Sequence, residues 1–177
     1  TVRVPSAEMT GVLADLEELG EVAQLSVLVV GAGAMSGLSA TTAARLGADV
    51  TVVSRTEARA RSLADRVGGS CRPLDELGEA LAAADVVISC TGASGVVVDL
   101  PTVATAQVAR GGRPQVYIDL AMPHDVAAEV GTLRGVTRLG LAELGSTLGG
   151  GGELALGEQV HGAQTAAAGA RHAGEAQ

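Results

Sequence analysis

The 177-residue chain has no lysine, no tryptophan and no phenylalanine, and a single tyrosine, Tyr117. Without lysine there is no Schiff-base chemistry and no general-base amine. Without large aromatics the core must be built from Val, Leu, Ile and Ala, which a chain of this length can close into one domain. All twelve basic residues are arginine, a bias that goes with the abundance of Ala and Gly and reads as genomic composition, not chemistry. Cysteine is scarce: Cys71 and Cys90 do not stand at metal-ligand spacing, and His124, His161 and His172 lie far apart. No metal is therefore expected. Two cysteines and no secretory signal suggest a reducing, cytoplasmic setting. No apolar run approaches the ~20 residues that span a membrane, so no membrane association is expected. A net charge of −8 with scattered arginines gives no nucleic-acid patch on this domain.

What is present is concentrated in two short stretches. Residues 27–30 (Val-Leu-Val-Val) form a continuous apolar run that suits a central parallel strand. Gly31, Ala32, Gly33, Ala34, Met35 and Ser36 follow, and an Ala-rich helical stretch is expected over 38–46. Strand, glycine turn and helix together suggest a dinucleotide site. Gly31 would turn the chain tightly, and Gly33 would let the backbone approach a pyrophosphate over the helix N-terminus. The next strand, 51–53, ends in Ser54, Arg55 and Thr56. An NAD site usually carries Asp or Glu there to bind the ribose hydroxyls. A carboxylate would repel a 2′-phosphate, whereas a hydroxyl and a guanidinium would bind it. The pattern favours NADP(H) over NAD(H).

Further along, Thr56 can cap a helix through 67, closed by Gly68 and Gly69. Strands are expected at 70–72, 85–90, 115–120 and 135–139, with helices over 74–84 and from Pro101 to 110. Strands alternating with helices predict an α/β Rossmann fold, a doubly wound and mostly parallel sheet of order 3-2-1-4-5-6 with helices on both faces. The domain is expected to span 25–144. A linker helix over 1–24 would precede it, and a Gly-rich linker with a weakly helical or flexible tail would follow over 145–177.

Candidates for chemistry lie at the ends of the fourth and fifth strands. Cys90, Thr91 and Gly92 would pass close to the cofactor. Cys90 reads either as a nucleophile or as a small residue at a buried strand end, and no neighbouring cation is at hand to lower its pKa. Asp119 could hold a neighbouring loop or point at the cofactor. His124 and Asp125 are consecutive and so do not suit an acid–base pair; Asp125 reads as a helix cap for 126–130.

With these residues the chain resembles the NADPH-binding domain of glutamyl-tRNA reductases. The matching pieces are 27–35, Ser-Arg-Thr at 54–56, Pro-Leu-Asp-Glu-Leu at 73–77, 84–93 (ending Ser-Cys-Thr-Gly-Ala), and 112–126 with Ile-Asp-Leu-Ala-Met-Pro-His-Asp-Val. Glu-Val-Gly at 129–131 and Gly-Val at 135–136 complete the pattern, which covers 20–145. Shikimate dehydrogenases are similar over the first two strands but not at 112–131. The resemblance implies reduction of glutamyl-tRNA to glutamate 1-semialdehyde through a cysteine thioester, the first step of five-carbon tetrapyrrole biosynthesis. It also implies a homodimeric parent that reaches tRNA through domains outside this chain. Neither Cys71 nor Cys90 matches the family's catalytic cysteine, so the chain by itself is expected to be inactive and its catalytic residues remain unassigned. The implied cofactor contacts are Gly31 to Ser36 at the pyrophosphate, Ser54, Arg55 and Thr56 at the 2′-phosphate, and Thr91 and Gly92 beside the nicotinamide half. Two departures stand out: Ser36 replaces a third glycine, which should weaken binding, and His124 replaces an arginine.

Two other readings compete. One is a stand-alone NADP-dependent oxidoreductase of the shikimate-dehydrogenase kind, with Asp119, His124 or Asp125 as its acid–base group. The other is an NADP-binding module without catalysis.

Overall fold

The computed structural model describes residues 25–142. The expected N-terminal helix, and the tail from 145 onward, lie outside the described residues. Six strands are laid down in the order β1 (Ser26–Val30), β2 (Asp49–Ser54), β3 (Ser70–Pro73), β4 (Val86–Ser89), β5 (Gln115–Asp119) and β6 (Val136–Gly140). Between them run helices α1 (Ala34–Arg45), α2 (Glu57–Val67), α3 (Leu77–Ala83) and α4 (Leu100–Ala109). The sheet is parallel throughout, in the order β3-β2-β1-β4-β5-β6. This is the order the sequence predicts.

The two-residue period of a strand explains why the apolar runs are continuous. Val27 and Val29 of β1, Val50 and Val52 of β2 and Ile88 of β4 face one way, against Ala40 and Ala43 of α1 and Ala60, Leu63 and Ala64 of α2. Leu28 and Val30, with Val53, Val87 and Tyr117, face the other way, against Leu77 and Leu81 of α3 and Val103 and Ala106 of α4. Each face of the sheet thus needs its own helical cover, and the crossover helices supply it. Tyr117 is fully buried and donates its hydroxyl to Gln115 Oε1 (2.8 Å). Burial is the chief reason its pKa is raised. Gln115 donates in turn to the carbonyls of Leu81 and Ala84. Arg110, also buried, donates to the carbonyls of Ala82, Ala84 and Pro114. This polar cluster ties α3 and α4 to the edge of the sheet opposite the glycine turn.

Three local expectations are corrected. Helix α1 starts at Ala34, four residues before the expected 38, because Gly33 serves as its N-cap and the glycine turn feeds the helix without a linker. The stretch expected as one helix over 74–84 is a 3₁₀ turn, Leu74–Glu76, followed by the short α3. Asp125 caps no helix. The segment behind it makes an isolated parallel bridge between Val98 and Val126, then a 3₁₀ turn at Ala128–Thr132 whose N-cap is Ala127. The sequence pattern failed there because Asp125 is needed elsewhere.

Candidate functional site

The carboxyl ends of β1, β2 and β4 converge at the point where the strand order reverses, which is where ligands of open α/β sheets bind. Gly31 leaves β1 with φ +118°, a region closed to most side chains. Its N–H donates to the Val53 carbonyl (2.7 Å), tying the turn to β2. A Cβ there would stand 2.4 Å from the Cys90 carbonyl oxygen and 2.7 Å from Ser36 Oγ, so the fold itself demands glycine. Gly33 is different. Its φ is −84° and a Cβ would meet nothing within 4 Å. The fold does not need that glycine, and the space above it, over the start of α1, is open.

Helix α1 begins there with no side-chain cap and no acidic residue in its first turn. Its first N–H groups therefore have no side-chain acceptor, and, together with the helix dipole, such an end is suited to an anion. Ala32 is half-buried and Ala34 exposed beside them. Met35 packs against the core on the α1 side. Ser36 is fully buried, and its hydroxyl donates to the Cys90 carbonyl (3.1 Å). The serine that replaces the expected third glycine is thus accommodated as a tie between α1 and the end of β4, not as a plug.

Ser54 closes β2, and Arg55 and Thr56 form the turn after it. Ser54 Oγ accepts from the Thr56 N–H (3.2 Å), and Arg55 is exposed with no ion pair among the described residues. Arg55 stands at the edge of a cavity of about 560 Å³, within the ~300–1,000 Å³ of small-molecule sites. Leu74 and Leu77 line one wall of the cavity, Val96 and Val97 another, with Gly78 and Thr102 between and Asp75 supplying a carboxylate acceptor. A flat apolar-walled recess with a free guanidinium at its rim suits a purine nucleoside carrying a phosphate. Leu74, Leu77 and Val97 were not named as site residues from the sequence; Leu74 and Leu77 belong to the matching piece at 73–77, after β3, and Val97 lies in the loop after β4.

On the other side of the glycine turn, Cys90, Thr91 and Gly92 continue β4. The Cys90 thiol is pushed above its ordinary value by burial, and further by the nearby carboxylates Asp125 and Asp119. It is therefore a neutral thiol at physiological pH, the opposite of what an attacking sulfur requires. Cys71 lies on β3, paired with Val52 and separated from β4 by β2 and β1. Asp119 is fully buried; Oδ1 accepts from the Ala121 N–H (3.0 Å) and Oδ2 from the Val126 N–H (2.8 Å). Arg138 Nη2 lies 3.5 Å and His124 Nδ1 3.6 Å from the same Oδ2. Of the two roles open to Asp119, its hydrogen bonds are those of a loop holder. His124 meets Asp119, not its sequence neighbour Asp125.

Asp125 is the residue that sequence reasoning placed wrongly. It is fully buried, and its carboxylate accepts from Ser89 Oγ (2.9 Å), the Thr91 N–H (2.7 Å) and Thr91 Oγ1 (2.6 Å). Its backbone carbonyl accepts from the N–H groups of Val97 and Val98. The partners lie 34 and 36 residues back, so no local pattern could have revealed them.

Parallel strands in this order, a glycine turn feeding an uncapped helix N-terminus, and a nucleoside-sized recess beside it define a dinucleotide-binding Rossmann domain of the dehydrogenase type. The family model described as shikimate/quinate 5-dehydrogenase matches residues 14–146, and the chain belongs to that family. Its nucleotide-binding region is homologous to that of glutamyl-tRNA reductases, as the sequence resemblance implied. A glutamyl-tRNA reductase from Kineococcus radiotolerans is 52% identical over 130 residues, which are 73% of this chain and 29% of that protein. One from Nocardioides sp. is 48% identical over 131 residues, 73% of this chain and 30% of that protein. Among solved structures, glutamyl-tRNA reductase from Methanopyrus kandleri superposes with a TM-score of 0.71 at 30% identity, covering 89% of this chain and 43% of that one. The chain thus spans about 30% of the length of these two curated relatives. No helix among the described residues is long and apolar enough to cross a membrane.

Proposed function

We propose that the chain binds NADP(H) and is the reductant-binding part of a glutamyl-tRNA reductase, an enzyme that reduces glutamyl-tRNA to glutamate 1-semialdehyde. The residues present fit the cofactor. Gly33 and the first turn of α1 would hold its pyrophosphate, Arg55 with Ser54 and Thr56 its 2′-phosphate, and Leu74, Leu77 and Val97 its adenine. Thr91 and Gly92 would flank the nicotinamide half. When bound, the cofactor supplies the hydride. The protein supplies N–H donors, an exposed cation and an apolar wall.

The observation that carries the choice of NADP(H) is Arg55, exposed beside the recess and without an ion-pair partner among the described residues, where an NAD site would present a carboxylate. The acid–base group of a stand-alone oxidoreductase is harder to find. Asp119 and Asp125 are buried and committed to loop hydrogen bonds. Of the three candidates, that leaves His124.

Titration of the chain with NADPH and with NADH tests the reading. Tighter binding of NADPH is expected. Arg55→Asp should cost NADPH about 10- to 100-fold in affinity, the worth of a charge-assisted hydrogen bond, while leaving NADH nearly unchanged. Equal affinity for the two nucleotides, or no effect of Arg55→Asp, overturns the choice of NADP(H).

A further inference from the structure

We infer that Asp125 is a positioning residue of the cofactor cleft, clamping both ends of the loop that follows β4; the inference rests on the cofactor reading above. One residue reaches the loop twice. The Asp125 carboxylate holds its start through Ser89 Oγ, the Thr91 N–H and Thr91 Oγ1. The carbonyl of the same residue holds its end through the Val97 and Val98 N–H groups. The Thr91 hydroxyl passes the constraint on by accepting from the Ala93 N–H (3.2 Å). The clamped loop is one wall of the recess that Arg55 borders.

Asp125 is itself held in place from β5, because Asp119 accepts from the Val126 N–H next to it. Two carboxylates in series thus carry the end of β5 to the end of β4. Among the described residues no cation pairs with Asp125. A buried carboxylate without a cation is costly to keep, and all three side-chain bonds that stabilise it go to Ser89 and Thr91. Its position is therefore explained by what it orders. The carboxylate governs the Thr91–Gly92 end, toward the nicotinamide half. The backbone carbonyl and the Val98–Val126 bridge govern the end that walls the adenosine recess, and these survive a side-chain change.

The two ends can be read separately by titrating the full chain with NADPH and with adenosine 2′,5′-bisphosphate, which lacks the nicotinamide half. Asp125→Ala should weaken NADPH at least about tenfold and the bisphosphate less than about threefold, since charge-assisted bonds are lost only at the Thr91 end. Asp125→Asn can still accept from Ser89 and Thr91, and should recover most of the NADPH affinity. Should Asp125→Ala not fold, Thr91→Val is read by the same comparison, with Thr91→Ser as the restoring variant. Unchanged NADPH affinity, or equal weakening of both ligands in a folded variant, overturns the positioning role while leaving the cofactor reading intact. If the unaltered chain binds neither ligand, the cofactor reading falls and this inference falls with it.

Discussion

Gly31 and Gly33 look equivalent in a Gly-x-Gly pattern, yet they are glycines for opposite reasons. Gly31 answers to the protein: its φ is positive and a Cβ would strike the Cys90 carbonyl. Gly33 is not required by the fold, since its backbone is ordinary and the space above it empty; on the proposed cofactor reading it answers to the ligand. The two can be separated by substitution. Gly31→Ala should destabilise the fold by about 2–4 kcal/mol, combining left-handed strain with a backbone clash. Gly33→Ala should leave stability unchanged or raise it by about 0.5 kcal/mol, since alanine narrows the unfolded ensemble without strain. It should nevertheless weaken NADPH binding, because the methyl group stands where the pyrophosphate approaches. Urea unfolding gives the first quantity and nucleotide titration the second. The reverse assignment, with Gly33→Ala unfolding the chain, would remove the argument that its glycine serves a ligand. The same contrast marks what a sequence can and cannot display. The glycine turn and Arg55 are legible because their meaning is local and lies at fixed spacing from a strand. Asp125 is illegible because its meaning is a set of bonds made across β4 and β5.

At the scale of elements, β1, β2 and β4 were legible to within about two residues, since β-branched runs buried on both faces have no polar alternation to blur them. The helices were less so. The start of α1 was missed because Ser36 and Gly37 in its first turn are weak helix formers, and only the tertiary turn makes Gly33 a cap. By contrast, α4 announces itself. Asp99 is its N-cap, with Oδ1 accepting from the Thr102 N–H (2.9 Å), and Pro101 occupies the first turn. The hydrogen bonds from Thr102 hold the Asp99 carboxyl below its ordinary value. Depression of a carboxyl means that the stabilisation is present above the unfolded value of 3.8 and is lost as pH falls through the lower folded value. Asp99→Ala should therefore cost about 1 kcal/mol at neutral pH, measured by urea unfolding, and the gap from the unaltered chain should close on acidification. A gap that persists in strong acid would assign the effect to packing. Because α4 covers one face through Val103 and Ala106, fraying of its first turn loosens the side of the recess that Thr102 lines.

At the scale of the whole molecule, the proposed role is to hold a reductant, and neither cysteine among the described residues is set up to attack an ester. Cys90 is a neutral, half-buried thiol flanked by carboxylates, and Cys71 lies toward the far edge of the sheet. Burial of apolar side chains on both faces makes the nucleotide domain self-supporting, so binding and stability should be linked in this chain alone. A ligand that binds only the folded state stabilises it by about 2.7 kcal/mol at one hundred times its dissociation constant. For a domain of this size that is a rise in Tm of roughly 5–10 °C. NADPH at that excess should produce it, and NADH at the same concentration should produce much less. Arg55→Asp should bring the NADPH shift down to that of NADH, because only the 2′-phosphate distinguishes the two nucleotides. Thermal unfolding of the same samples checks this without any turnover, which matters because glutamyl-tRNA supplied with NADPH to the chain alone should yield no semialdehyde. A full Tm shift with no turnover would separate the reductant-holding role from the chemistry that the remaining two-thirds of the relatives' length provides. Turnover by this chain alone would return His124, the exposed neighbour of Asp119, to the centre of the mechanism.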